Sequence, residues 1–224
     1  MRPHFEPIEL DRECEHIVSD FLRSKYGELK FPIPTDALEI LIEQDAQDLD
    51  MYADLSNLGS DIEGVTEFIP GRKPRVKISK HLSEDRRMEN RLRTTMTHEY
   101  GHVKFHAPLW LADVATGDLF GKQPERMSIL CKRENIMGAV EYDWMEWQAG
   151  YVCGAILMPR SRVLAIAKAH LSRIGRPLDQ SSPHGAILIQ QVIEEFRVSA
   201  DAARVRLLKL KVLAQDERAL PLTT

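Results

Sequence analysis

The stretch Thr97-His98-Glu99-Tyr100-Gly101-His102 sets two imidazoles four residues apart around a glutamate, and this spacing restricts the fold more than any other feature of the chain. A helix advances about 100° per residue, so His98 and His102 would share one face roughly a turn apart, about 40° off in azimuth, and could grip one metal ion together. Glu99 would stand beside that pair. A carboxylate in this position can hold and deprotonate a water whose pKa a catalytic zinc lowers to about 7, making hydroxide available at neutral pH. H-E-x-x-H is therefore the pattern of a metal-activated hydrolase with Glu99 as general base. The competing reading is an ordinary helix with incidental histidines. Context argues against it, because Met88 to Met96 contain no Gly or Pro, and Met88, Leu92, Met96 and Val103 recur at near-helical spacing. One helix from about Glu84 to His106 is predicted.

Two histidines leave a catalytic zinc short of its usual third protein ligand, so the fold must bring another segment to this helix. The candidates are His106, Glu141, Asp143 and Glu146. His106 lies a further four residues along the same helix, and two such steps on a straight helix lift the third ring roughly two turns from the first. The longer motif H-E-x-x-H-x-x-G-x-x-H would need glycine at 105 and histidine at 108, where this chain has Phe105 and Pro108, which excludes that class. Glu146 precedes the small residues Ala149, Gly150 and Cys153, which would let its helix approach the first closely. Glu141 and Asp143 sit at the looser start of that helix, where acidic residues also suit the helix dipole.

The remaining pattern predicts an α+β fold. Cys14, Ile17, Phe21 and Leu22 form an apolar stripe on a helix over residues 11–26 that ends near Gly27. Phe31-Pro32-Ile33-Pro34 reads as extended, and Thr35 as the cap of a second helix through Ala37, Leu38, Leu41 and Ile42. Residues 64–69 and 75–79 are rich in β-formers and flank Pro70-Gly71-Arg72-Lys73-Pro74, a hairpin or two neighbouring strands that form a small sheet before the metal helix. Ala107 to Val140 reads as a long loop with a helical turn, of the kind that shapes substrate clefts. Helical periodicity returns from Glu141 to Met158, where Pro159 stops it, and again from Ser161 to His170. Residues 175–183 read as a linker. Ile187 to Leu213 reads as two helices joined at Val198-Ser199, with Ser199 as a cap.

A chain of 224 residues can bury its own core without disulfide staples. Its three cysteines, Cys14, Cys131 and Cys153, are odd in number and form no C-x-x-C pair, which fits packed thiols in a reducing compartment. There is no apolar leader at the N-terminus and no run long enough to span a bilayer, so a cytoplasmic protein without membrane association is expected. With 29% charged residues but a net charge of -4, the chain presents no global electrostatic case for nucleic acid.

Two segments together resemble the ImmA/IrrE-type metallopeptidases: Arg93 to His102, and Glu146-Trp147-Gln148-Ala149-Gly150-Tyr151-Val152-Cys153-Gly154-Ala155-Ile156-Leu157-Met158-Pro159. The second, a glutamate followed by alanine and small residues and then Leu-Met-Pro, is the more discriminating. The similarity covers roughly residues 10 to 170. It implies a zincin-like domain over residues 10–172, a small sheet packed on helices carrying the metal site, with a C-terminal helical hairpin or helix-turn-helix-like segment over 184–215. It also implies Zn²⁺ held by His98, His102 and Glu146, and Glu99 as catalytic base. Active members of the family cut or control transcriptional repressors, releasing a stress or mobile-element response, so a helix-turn-helix repressor is the expected protein partner. The chain departs from the family at Tyr100, where an aliphatic is usual, and at Gly150, where asparagine is usual. Neither departure touches a ligand or the base.

Several features carry two readings. The last predicted helix bears Arg204, Arg206, Lys209 and Lys211, a set that could read a DNA major groove, although the acidic chain favours a packed hairpin with solvated basic residues. Cys131, between Leu130 and Lys132-Arg133, has basic neighbours that could activate its thiol, although packing is the commoner fate. Trp144 and Trp147 could wall a cleft or belong to the core. A His-His-Glu site also accepts manganese or iron. The leading functional expectation is a zinc endopeptidase. Its alternative is a non-catalytic regulatory or DNA-binding protein with a structural metal, which would have no use for a base at Glu99.

Overall fold

The computed structural model describes residues 5–109, 127–132, 144–174 and 178–214. They form a mostly helical α+β structure with a small mixed sheet. The chain divides into two units, residues 1–157 and residues 158–224.

In the first unit, α1 (Pro7–Tyr26) opens with proline in its first turn and a capping box between Glu6 and Glu9, and closes on Gly27 at φ 77°. Glycine adopts this left-handed cap without a Cβ penalty. Leu10, Cys14, Val18, Phe21 and Leu22 bury one stripe of the helix. The second helix, α2 (Thr35–Asp45), is capped by Pro34 rather than by Thr35 as expected; the Thr35 hydroxyl donates instead to Glu89 Oε1 at 3.1 Å. Four strands follow the order β1 (Asp48–Ala53), β3 (Arg75–Ser79), β2 (Ile62–Phe68), β4 (Met127–Lys132). β1 runs parallel to β3, while β2 is antiparallel to both β3 and β4. Every residue of β2 is buried, which befits its central place.

The expected pair of strands is thus the middle of a four-stranded sheet. β1 and β4 were not expected. Acidic residues dilute the β-pattern of β1, and β4 lies within the stretch predicted to be a loop. Both are end strands of the described sheet, paired along one side, and such strands need a weaker signal than a central strand.

The predicted single helix over 84–106 is four pieces. A short α3 (Lys80–Glu84) and a 3₁₀ turn (Arg86–Met88) lead into α4 (Glu89–Gly101), which continues as a π-helical segment, His102–His106. Asp85 caps the entrance by accepting from the Arg87 backbone N–H at 3.0 Å. The final element of this unit is α5 (Trp144–Leu157). It packs against α4 so closely that a Cβ on Gly101 would lie 2.9 Å from the Ala149 Cα. On its other side, Tyr151 donates to the buried Asp11 of α1 at 2.9 Å.

The second unit contains α6 (Arg160–Ile174), α7 (Pro183–Phe196) and α8 (Ala200–Lys209), with a short parallel pair between β5 (Leu178–Asp179) and β6 (Leu213–Ala214). Within this unit, Arg162 and His170 of α6 bond Glu195 and Gln191 of α7 at 3.1 Å each. Ser182 and Ser199 cap α7 and α8 by accepting from Gly185 and Ala202 backbone N–H groups. Val163, Ala167, Leu188, Val192, Phe196, Ala203 and Leu207 are buried in this unit. Among the described residues, no helix is long and apolar enough to cross a membrane.

Candidate metal centre

His98 stands in the last turn of α4 and His102 opens the π-helical segment; both are fully buried. Their Nε2 atoms are 3.2 Å apart. Glu146, in the first turn of α5, completes the group: Oε2 is 3.2 Å from His98 Nε2, and Oε1 is 3.2 Å from His102 Nε2. One ligand atom from each residue lies within 4.8 Å of the others, and imidazole nitrogen and carboxylate oxygen are donors that zinc accepts. The three side chains thus form a buried cluster able to hold a metal ion. Close approach of α4 and α5 through Gly101 and Ala149 permits it, because a glutamate one helix away cannot reach imidazoles across a bulkier interface. Burial by itself would raise the Glu146 carboxyl. Hydrogen bonds from His102 and His98, with the charge of those imidazoles, outweigh burial and hold it well below the usual glutamate range.

Glu99 occupies the sheet-facing side of α4. Its Oε2 accepts from the Thr66 hydroxyl of β2. A Cβ on Gly64 would lie 2.9 Å from the Glu99 Cγ and Cδ, so only glycine at this strand position leaves room for the glutamate. One turn earlier, Thr95 donates to Glu63 Oε2 at 3.2 Å, and Arg91 forms an ion pair with the same carboxylate. The β2–β4 register shifts between Ile62 and Gly64. This irregularity allows Glu63 to turn toward α4 like Gly64 and Thr66, the re-aiming effect of a β-bulge. Arg91, Thr95 and Glu99 therefore form a polar seam along one helix stripe, while His98 and His102 face α5.

His106 does not join the three-donor cluster. Its Nδ1 lies 2.9 Å from His102 Nδ1, and its Nε2 lies 3.3 Å from Gln148 Oε1. Burial, followed by the neighbouring His102, lowers its pKa to about 3. The other candidate ligands, Glu141 and Asp143, lie outside the described residues, as do most of the predicted cleft loop and the Cys131 side chain. Trp144 meets the His106 ring edge-on at 5.3 Å, whereas Trp147 packs against Tyr151 at 5.7 Å.

Sequence reasoning passed over Thr66, Gly64, Glu63 and Gln148. Gln148 carried one usable signal, its place two residues from Glu146. The strand residues carried none, since their meeting with Glu99 depends on how the sheet docks. The basic set on α8 also has internal uses: Arg206 is buried and donates to the Met158 carbonyl at 3.0 Å, and Arg204 pairs with Asp201 at 3.2 Å. Cys14 and Cys153 are buried and form no disulfide. No protein-family model matches the chain, and no curated protein matches it either.

Proposed function

We propose that the chain is a zinc-dependent endopeptidase of the ImmA/IrrE type with a zincin-like catalytic domain. The supporting observation is the buried convergence of His98, His102 and Glu146, with Glu99 next in sequence to the first ligand and held by Thr66. His98, His102 and Glu146 would hold the ion. Bound zinc would polarise the scissile carbonyl and activate water for attack. Glu99 accepts the proton of the attacking water and delivers it to the leaving amine nitrogen, so one carboxylate serves as base and then as acid. Thr66 keeps that carboxylate oriented, and the dry surroundings strengthen each charge interaction. The substrate is an extended segment of a regulatory protein, such as a helix-turn-helix repressor, added to an edge of the sheet.

The alternative, a regulatory or DNA-binding protein with a structural metal, loses support from the basic set on α8, since Arg206 is buried and Arg204 is paired. Elemental analysis of the wild-type chain should give near-stoichiometric zinc, lost in Glu146→Ala. Glu99→Gln should retain zinc and lose about 10²- to 10⁴-fold in peptide cleavage, the usual contribution of general acid–base catalysis. Undiminished activity in Glu99→Gln would eliminate the proposed mechanism, and a wild type that refuses zinc would eliminate the metal centre as well.

A further inference from the structure

We propose that His106 and Gln148 are positioning residues that hold His102 in the tautomer and orientation needed to bind the ion. This inference rests on the metal-centre reading above. A neutral imidazole has one N–H and one lone pair. His102 Nε2 faces His98 Nε2 and Glu146 Oε1 at 3.2 Å each, and an ion held among these atoms would replace the proton that hydrogen-bonds the carboxylate, so that Nε2 supplies its lone pair to the ion and the remaining proton resides on Nδ1. That Nδ1 lies 2.9 Å from His106 Nδ1, which therefore accepts. The His106 proton is then on Nε2, 3.3 Å from Gln148 Oε1.

The far end, where Gln148 Oε1 faces His106 Nε2, agrees with this direction. An amide oxygen only accepts, so the atom facing it must carry the proton. Reversing the relay would set the His106 lone pair against this oxygen, leaving two acceptors in contact inside a buried site. All three side chains, His102, His106 and Gln148, are fully buried, so water offers no substitute partner.

The elements explain why His106 is present here without being a ligand. His102 and His106 open and close the π-helical segment, whose widened turn is sealed by the Ala107 N–H donating to the His102 carbonyl. π-Turns of this kind recur at functional sites. Gln148 lies two residues beyond Glu146 on α5, so the relay ties together the same two elements that carry the three donors. Trp144, edge-on to His106, restricts rotation of the ring.

Outer-shell partners of metal-bound histidines commonly contribute about 10- to 100-fold in affinity. The test is chelator competition for Zn²⁺ on the full chain, comparing wild type with His106→Leu, His106→Asn and Gln148→Leu. His106→Leu should bind zinc about 10- to 100-fold more weakly. His106→Asn, whose amide oxygen can take the place of Nδ1, should recover most of that loss, and Gln148→Leu should fall between. Nitrogen-15 NMR of the zinc-loaded wild type should place the proton on His102 Nδ1 and on His106 Nε2, a readout that needs no variant to fold. Unchanged affinity in His106→Leu, an asparagine variant as weak as the leucine one, or a His106 protonated on Nδ1 would overturn the relay and leave the metal centre standing. A wild type that binds no zinc would overturn both.

Discussion

Glu99 is useful as a base only if its carboxylate is held, and the group that holds it comes from a strand 33 residues earlier. A hydrogen bond to a charged group contributes about 1.5–3 kcal/mol, and about 1.4 kcal/mol corresponds to tenfold in rate. Thr66→Val, which keeps the shape and removes the hydroxyl, should therefore lower kcat about 10- to 100-fold while zinc content and KM stay near wild type. Thr66→Ser should restore most of the rate. Steady-state kinetics with metal analysis on the same samples checks this, and a wild-type kcat in Thr66→Val would remove Thr66 from the account. The identities of His98, Glu99 and His102 were legible because they sit on one helix, whose periodicity converts spacing directly into a shared face. Thr66 and Gly64 were not legible, because strand alternation says which residues share a side and says nothing about what that side meets.

At the scale of elements, the site depends on two helices that nearly touch. Replacing Gly101 by alanine would improve helix propensity by about 1 kcal/mol, yet the added Cβ would meet the Ala149 backbone at 2.9 Å. Overpacking of this kind costs about 1–3 kcal/mol, and a backbone atom cannot swing aside, so the clash outweighs the propensity gain. Gly101→Ala should melt lower and bind zinc more weakly; a higher melting temperature with unchanged zinc affinity would contradict the close packing. On the opposite side, Tyr100 and Lys104 both donate to Asp45 Oδ2 at 3.0 Å and fasten the metal helix to α2. Burial first, and then the Asp45 charge, raises the Tyr100 hydroxyl above the ordinary tyrosine range. A group with a raised folded pKa contributes stability that is complete below its unfolded value of about 10 and is lost as pH rises beyond it. Denaturant titrations from pH 8 to 11 should show a steeper alkaline loss in wild type than in Tyr100→Phe; equal slopes would mean that Tyr100 ionises freely. Most helices could be anticipated from turns, caps and apolar stripes. The π-helical segment could not, since local sequence there still reads as α-helix and only the contacts of His102 and His106 distinguish the widened turn.

For the molecule as a whole, the candidate metal donors all belong to the first unit, in α4 with its π-helical extension and in α5. A ligand present at about 100 times its Kd stabilises the state that binds it by about 2.7 kcal/mol. Chelation should therefore accelerate amide exchange in α4 and α5, with no comparable change in α7 and α8, as followed by hydrogen-exchange mass spectrometry. A uniform change across both units, or none in α4, would count against a centre built on those two helices. The sequence alone determined the helical register of the H-E-x-x-H motif, the small residues that make α5 a close-packing helix, and the α+β character of the chain, because each follows from interactions within a few turns. Tertiary structure alone decided that β1 and β4 complete the sheet, that Glu63 turns toward α4, that Arg206 is buried, and that His106 stands behind His102 instead of joining the cluster of His98, His102 and Glu146. Each of these rests on groups distant in the chain meeting in a low-dielectric interior, where every donor must find its acceptor and no local pattern records which one it will be.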